Sequence, residues 1–201
     1  MKRLTMILAF CALCIGSVSA QDFGVRAGLN IASVGPDNQG LKSKVGFNVG
    51  AVVDINLTGS LYLQPGLYIS TKGYTAEDDL YTKDKKSTLG YIEMPVLLSY
   101  KLDLGSAALR FDAGPYFAFG AFGKIKSTAI YTGEEYSYKN FDKDEGDVKK
   151  FDTGLRLGAG AEFGQLYAGL GFEFGFVNLA EDDANITLKN RCFMINLGYN
   201  F

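Results

Sequence analysis

Ten charged residues stand within otherwise apolar or glycine-rich stretches of this chain, and they are the groups best placed to do chemistry. They are Arg26, Asp54, Lys72, Glu93, Lys101, Arg110, Asp112, Arg156, Glu162 and Glu173. Five are basic and five are acidic, so their charges balance. Because buried charges need partners and hydrogen bonds, this balance predicts a structural network of ion pairs. A narrow path for ions through the same interior is the alternative interpretation.

Acid–base catalysis is not favoured by the residue types. The 201 residues contain no histidine, although histidine is the usual general base beside a serine nucleophile. Ser70 and Ser99 fall in the same stretches, where we expect them to pack and form hydrogen bonds. We therefore expect a non-enzymatic protein with no catalytic residue, no metal site and no cofactor.

A dense group of carboxylates between Lys124 and Lys150 is the one candidate cation site. Its members are Glu134, Glu135, Asp142, Asp144, Glu145 and Asp147. Their spacing does not match an EF-hand loop, which needs glycine at its sixth position. We expect a solvated loop here, and cation or partner binding is the alternative.

The elements that carry the ten charges show a two-residue alternation, which is typical of β-strands. Over residues 45–57 the odd positions are all apolar, while the even positions are mostly glycine or polar. The same split recurs over residues 91–103 and 192–201. The pattern predicts eight strands, at residues 22–32, 44–57, 60–74, 88–103, 107–123, 151–163, 166–178 and 190–201.

The lengths of these strands and of their connections indicate a membrane barrel. A tilted strand needs about 9–11 residues to cross the hydrocarbon, whereas strands of soluble proteins usually have about 5–6. Three connections are short, at Thr58-Gly59, Leu104-Gly105-Ser106 and Gly164-Gln165, and the other four are long and polar. Outer-membrane barrels have short periplasmic turns and long extracellular loops. This predicts that the long loops are extracellular and that both termini are periplasmic.

A soluble antiparallel sheet would show the same alternation, but it would gain nothing from glycines on its wet face. Glycine makes up 25 of 201 residues, and many glycines share a face with the charges. They suit the cramped lumen of an eight-stranded barrel, which side chains just fill. We therefore predict an all-β fold, an eight-stranded antiparallel up-and-down transmembrane β-barrel with a plugged lumen. Pro65, Pro95 and Pro115 fall within the strands and predict bulges or local irregularity, with a shift of the alternation after each one.

Aromatic residues are predicted to form two girdles on the outer face. One girdle would lie at the short-turn end and the other near the opposite rim. The members at the short-turn end are Phe23, Tyr100, Phe163, Tyr199 and Phe201, and those at the opposite rim are Phe47, Phe151, Phe176 and Phe193.

The first 20 residues have the pattern of a secretory signal peptide. Lys2 and Arg3 precede an apolar run from Leu4 to Ile15, and small residues lead up to Ala20. The run is shorter than the roughly 20 residues of a transmembrane helix. We expect cleavage between Ala20 and Gln21, which leaves one barrel domain over residues 21–201 with Cys192 as its single cysteine. The net charge of −2 gives no reason to expect a nucleic-acid partner.

Several segments resemble a family of Bacteroidetes outer-membrane β-barrels that includes the PorT-like proteins and small barrels of the OmpA and OmpX type. They are Leu61 to Tyr68 with Lys72-Gly73, Tyr91 to Leu98, and Asp112 to Tyr116. The resemblance implies a barrel in the bacterial outer membrane that contacts lipid. Phe201 and Tyr199, two residues before it on the same face, together look like the terminal signal that outer-membrane assembly machinery recognises in such barrels.

The expected function is accordingly structural, or the presentation of surface loops to an adhesion or interaction partner. The family resemblance also implies an alternative, a PorT-like component of a secretion or transport assembly with its own protein partners.

Overall fold

A computed structural model describes residues 21–36, 41–76, 82–132, 134–139, 141, 148–180 and 187–201. The predicted signal peptide, including Ala20, lies outside these residues, and Gln21 is the first residue of β1. The described strands are β1 (Gln21–Pro36), β2 (Leu41–Thr58), β3 (Leu61–Ala76), β4 (Thr82–Asp103), β5 (Ala108–Ala129), β6 (Glu135–Lys139), β7 (Phe151–Phe163), β8 (Leu166–Gly175) and β9 (Leu188–Asn200).

Eight of these strands form a closed antiparallel ring. Its order is β4-β3-β2-β1-β9-β8-β7-β5, and pairing of β4 with β5 closes it. Closure pairs the edges that would otherwise be left open, which is the condition for a sheet to cross hydrocarbon. The prediction of an eight-stranded antiparallel barrel is confirmed.

The exterior of the ring is apolar. Val45, Phe47 and Val49 alternate along β2 with exposures of 66%, 51% and 47%, and they lie opposite Ile31, Leu29 and Ala27 of β1. The predicted girdle aromatics have their side chains on this outer face, where Phe193 is half-buried and the other members are exposed. The side chains between them point into the lumen, because successive residues of a strand face opposite ways.

The two ends of the barrel differ in their connections. At the short-turn end, β2–β3, β4–β5 and β7–β8 are joined by turns in which Gly59, Gly105 and Gly164 have positive φ values of 50°, 88° and 59°. Such values favour glycine because a Cβ atom would clash. The first residue of β1 and Phe201 lie at the same end. The opposite end is called the long-loop end below.

Several strands extend further at the long-loop end than predicted. β4 begins at Thr82 rather than 88, and β5 continues to Ala129 rather than 123. β6 was not predicted at all, and it pairs with β5 between Lys124 and Thr128, beyond the point where β7 leaves β5 at Phe119. Strands β4, β5 and β6 thus form a small sheet that rises above the ring.

The local irregularity predicted at the prolines is found, but the predicted shift of the alternation is wrong. Pairing is interrupted beside Pro65, Pro95 and Pro115, but the register on the two sides of each interruption is the same. A proline therefore removes one hydrogen bond without displacing the chain. A shift occurs instead between Gly90 and Tyr91 of β4, where Ala121 of β5 is the extra residue and reverses the alternation beyond it.

Candidate functional site

The lumen contains two layers of ion pairs, and the one nearer the short-turn end is centred on Arg110. This Arg110 layer consists of Asp54, Lys101, Arg110, Asp112 and Glu162. Arg110 donates from Nη1 to Asp54 Oδ2 at 2.7 Å and to Glu162 Oε1 at 3.1 Å, and from Nε to Asp112 Oδ1 at 2.8 Å. Lys101 Nζ lies 2.9 Å from Asp54 Oδ2 and 3.3 Å from Glu162 Oε2.

Two neutral side chains complete the hydrogen bonding of the Arg110 layer. Gln64 donates to Asp54 Oδ1 at 2.7 Å. The Ser99 hydroxyl donates to Asp112 at 2.5 Å and accepts from Arg110 Nη2 at 2.7 Å. Ser99 is fully buried, and its role here is to link a cation to a carboxylate, as expected for a packed serine.

The second layer, the Arg156 layer, lies near the middle of the barrel and consists of Lys72, Glu93, Arg156 and Glu173. Lys72 Nζ lies 2.7 Å from Glu93 Oε2 and 2.5 Å from Glu173 Oε2. Arg156 forms ion pairs with both glutamates. Two cations and two carboxylates alternate, and the side chains of Lys72, Glu93 and Glu173 have no exposed surface.

Arg26 is the predicted network residue that these ion pairs do not include. It is 4% exposed, and its guanidinium carbon lies 4.2 Å from the centre of the Tyr167 ring, a cation–π geometry. It donates to Val25 O at 3.1 Å. The other nine predicted residues are brought together in the two layers.

Glycines make room for the largest lumen side chains. A Cβ atom at Gly160 would lie 2.7 Å from the Tyr167 ring, and one at Gly24 would lie 2.8 Å from Arg26 Nη1. A Cβ at Gly154 would lie 2.8 Å from the ring of Tyr116. The glycines therefore allow arginine and tyrosine to occupy a narrow interior, as the composition indicated.

Sequence reasoning missed one buried lumen carboxylate, Asp152. It has no exposed surface and lies above the Arg156 layer, toward the long-loop end. It accepts hydrogen bonds from the Tyr116 hydroxyl at 3.0 Å and from Asn190 Nδ2 at 2.8 Å. Asp152, Gly154 and Arg156 are spaced two residues apart on β7 and therefore share its lumen face. This spacing was the signal available in the sequence.

An apolar cap closes over these groups at the long-loop end. Its buried members are Leu89, Tyr91, Tyr116, Ala118, Phe141, Val148 and Leu179. Phe141 and Val148 belong to the segment between β6 and β7, and Val148 pairs with Ala180. The expectation that residues 124–150 form one solvated loop is therefore wrong for the described part. Residues 124–139 largely build the β5–β6 hairpin, and Phe141 and Val148 are buried because they fill the barrel mouth.

The proposed cation ligands of that segment are only partly described. Glu134 and Glu135 are exposed, and Asp142, Asp144, Glu145 and Asp147 lie outside the described residues. Within the described part of the chain, no group of three or more cysteine or carboxylate side chains is placed to hold a metal ion.

Little open space remains between the two ion-pair layers. A cavity of about 30 Å³ is lined there by Gln64, Tyr68, Asp112 and Arg156. That volume holds about one or two water molecules. The lumen is thus occupied by paired charges, by tyrosines and by the cap.

The C-terminal aromatics lie on the outer face at the short-turn end. Phe201 is 67% exposed, and its ring centre lies 5.7 Å from that of Phe23 and 5.1 Å from that of Tyr199. The backbone N–H of Phe201 donates to Phe23 O at 2.8 Å. The terminal residue is therefore held against the first strand of the ring.

A closed ring with an apolar exterior and a filled, charged interior defines a transmembrane β-barrel. Residues 19–181 match the family model of the outer membrane protein beta-barrel domain. The chain belongs to this family, whose location is the bacterial outer membrane. No curated protein matches the chain. No helix among the described residues has the length and apolar character needed to cross a bilayer.

Solved structures of small outer-membrane barrels are similar to this chain. The outer membrane enzyme PagL has a TM-score of 0.56 and 11% identity, over 88% of this chain and 98% of PagL. A major outer membrane protein from Thermus thermophilus has a TM-score of 0.54 and 16% identity, over 90% and 100% of the two chains. Neisserial surface protein A has a TM-score of 0.50 and 11% identity, over 91% and 100%. At these identities the likeness is one of fold.

Proposed function

We propose that this protein is a non-enzymatic, non-conducting outer-membrane barrel that presents its long-loop end at the cell surface. The observation that carries the proposal is the filled lumen. Two layers of buried ion pairs and an apolar cap lie in series along the barrel axis, and the cavity between the layers has room for only one or two waters. A conducting path would have to displace all three.

Planar-bilayer recording tests the closed lumen. We expect no steady conductance from the wild-type protein. A variant with Arg110→Ala, Arg156→Ala and Phe141→Ala together removes a central arginine from each ion-pair layer and one aromatic ring from the cap, and it should conduct, which would show that the barrel is inserted. Heat-dependent mobility on electrophoresis establishes folding of both samples beforehand. Steady, reproducible wild-type conductance would instead support the alternative of a narrow ion channel.

In this proposal residues 1–20 direct export and are removed, the long-loop end faces outward, and both termini face the periplasm. Cys192 is buried, so a new cysteine can be labelled selectively. Ser137→Cys on β6 should react with a membrane-impermeant maleimide on intact cells. Ser106→Cys, in the turn after β4, should react only after lysis. The reverse result would invert the topology.

The sheet of β4, β5 and β6 supports a role in presenting a surface to a protein partner. Strand β6 is bonded to β5 on one side, and no described strand pairs with its other edge. Tyr136 and Tyr138 stack on this strand, with ring centres 6.5 Å apart and planes within 3°, and both are at least 40% exposed. Exposed aromatics beside a free strand edge suit partner recognition.

The alternative is a PorT-like component of a secretion or transport assembly from a member of the Bacteroidetes, which the resemblance of residues 61–73 and 91–98 supports. Cross-linking in cells followed by purification separates the two roles. An assembly component should bring down stoichiometric membrane or periplasmic proteins. A surface-presenting barrel should not, and Ser137→Cys carrying a photo-reactive group should then cross-link to no protein other than an added external partner.

A further inference from the structure

Four lysines share the outer face of the small sheet that rises at the long-loop end. Lys86 of β4 lies directly opposite Lys126 of β5, and Lys124 of β5 lies directly opposite Lys139 of β6. Lys124 and Lys126 are two residues apart and so point the same way. These four residues are called the lysine patch below. All four are exposed, whereas Ile125 between them is buried on the other face.

The patch places like charges at the shortest cross-strand spacing in a sheet. Residues directly opposite each other have Cβ atoms about 4.5–5.5 Å apart, and like charges there are destabilising. Among the described residues, no carboxylate lies within salt-bridge distance of Lys124, Lys126 or Lys139. The like charges of Lys124, Lys126 and Lys139 therefore stand together on one face, and a bound anion would offset their repulsion.

Hydroxyl groups and further amines border the patch. Ser137 lies opposite Lys126, and Thr88 lies opposite Lys124. Lys44 Nζ donates to Ser87 O at 3.0 Å and to the Thr88 hydroxyl, which brings another ammonium group to the residue that lies opposite Lys124. Hydroxyl and ammonium groups can donate hydrogen bonds to phosphate oxygens. Glu135 is the carboxylate on the same face of β6, opposite Thr128.

The position of the patch relative to the apolar exterior selects its ligand. Phe122 lies two residues before Lys124 on the same face of β5, is 49% exposed and covers Gly90. Two residues of a strand span about 7 Å, so Lys124 lies about 7 Å beyond an exposed aromatic of the outer face. Long lysine side chains reach the headgroup level from such positions. This position suits a ligand at the membrane surface.

We propose that the lysine patch binds phosphate groups of anionic lipid in the leaflet that surrounds the long-loop end. The patch spans about 5 Å between paired strands and about 7 Å along them, which matches one or two phosphate groups. This site requires insertion in a membrane but holds for either orientation of the barrel. It adds a lipid ligand to a protein that otherwise presents a surface.

The test compares lipid association in reconstituted bilayers. Spin-labelled phosphatidic acid and spin-labelled phosphatidylcholine are added separately to the full-length barrel in phosphatidylcholine, and the motionally restricted fractions are measured. The variant that removes charges from the lysine patch, called the strip variant below, carries Lys124→Gln, Lys126→Gln and Lys139→Gln. The matched control carries Lys149→Gln, Lys150→Gln and Lys189→Gln, which change the net charge equally but lie away from the patch. Unchanged heat-dependent mobility shows that each variant is folded.

We expect wild type and control to prefer phosphatidic acid by about fivefold or more at low salt, since one lysine near an anionic surface contributes about that factor. The strip variant should lose most of this preference. An equal preference in the strip variant and wild type would overturn the proposal. Absence of preference in wild type, with calorimetric binding of soluble inositol hexakisphosphate lost in the strip variant, would also overturn it and assign the patch to a soluble polyanion.

Discussion

Arg110 of β5 donates two hydrogen bonds to the carboxylate of Asp54 of β2, with Nη1–Oδ2 and Nη2–Oδ1 distances of 2.7 and 2.9 Å. Strands β3 and β4 separate β5 from β2 in the ring, so this paired contact reaches across the lumen. Because a forked arginine–carboxylate pair fixes both distance and angle, it ties opposite walls of the barrel together. The filled lumen thus stabilises the fold as well as closing it.

Removal of Arg110 should destabilise the barrel strongly. Arg110→Met leaves Asp54 and Glu162 with Lys101 and, among the described residues, leaves Asp112 with no ion-pair partner. Uncompensated buried charge costs about 3–5 kcal/mol. The free energy of unfolding, measured from mobility shifts in urea, should fall by that amount. Arg191→Met removes an exposed arginine and should change it by less than about 0.5 kcal/mol.

Adding Asp54→Asn to Arg110→Met should recover part of the lost free energy of unfolding. The double variant no longer contains the negative charge of Asp54, which Arg110→Met alone leaves without its arginine partner. A single Arg110→Met variant as stable as Arg191→Met would mean that the Arg110 layer does not support the fold.

The cap should be held chiefly by Phe141. Its ring is 8% exposed and lies 5.7 Å from that of Tyr91 in an edge-on contact. Phe141→Ala removes a buried ring, a change that costs about 3–5 kcal/mol in a full core. Since the cap can open locally without unfolding the ring, we expect trypsin to cut after Lys149 or Lys150 at least tenfold faster, with global stability nearly unchanged.

Tyr131→Ala provides the comparison for the cap, because this tyrosine is 82% exposed and should leave cleavage unaffected. Equal cleavage rates in Phe141→Ala and wild type would show that Phe141 does not close the mouth.

The strands that cross the membrane were the most predictable part of the fold. β7 was expected over 151–163 and spans Phe151–Phe163, because lipid on one side and a crowded lumen on the other enforce strict alternation. Beyond the membrane this constraint ends. The start of β4 at Thr82 has polar residues on both faces. β6 alternates two tyrosines with polar residues, but over only five residues, which is too short a run for periodicity to identify a strand.

The lumen site was partly predictable for the same reason. Alternation assigns a face to a charge, and it placed Arg110 and Asp54 on the inside. It does not give height along the axis or distance across the ring, so it could not divide the charges into two layers or separate Arg26 from them. Phe141 and Val148 are isolated apolar residues in a charged segment, and only the three-dimensional contacts reveal the cap.

Gly154 should tolerate no side chain. A Cβ atom there would overlap the carbonyl oxygen of Phe174 on the neighbouring strand, and the backbone cannot move aside without breaking the ladder. Gly154→Ala should lower the free energy of unfolding by about 1–3 kcal/mol, the usual cost of overpacking. Gly35→Ala is the control, since its nearest contact, Arg191 Nε, is 3.6 Å away. Similar stabilities for the two variants would refute close packing at Gly154.

Assembly in cells should depend on the terminal aromatic residue. If Phe201 is part of a signal for assembly machinery, Phe201→Ala should reduce severalfold the amount of heat-modifiable barrel in the outer membrane. The control is Phe23→Ala, which removes the ring that packs 5.7 Å from Phe201 but leaves the terminus intact. Both variants lose the Phe23–Phe201 contact, and Phe201→Ala also loses its contact with Tyr199. Each contact is worth about 0.5–1.5 kcal/mol, so refolding from urea into detergent should differ between the two variants by no more than about that amount. A defect in cells shared equally by both variants would assign Phe201 a packing role only.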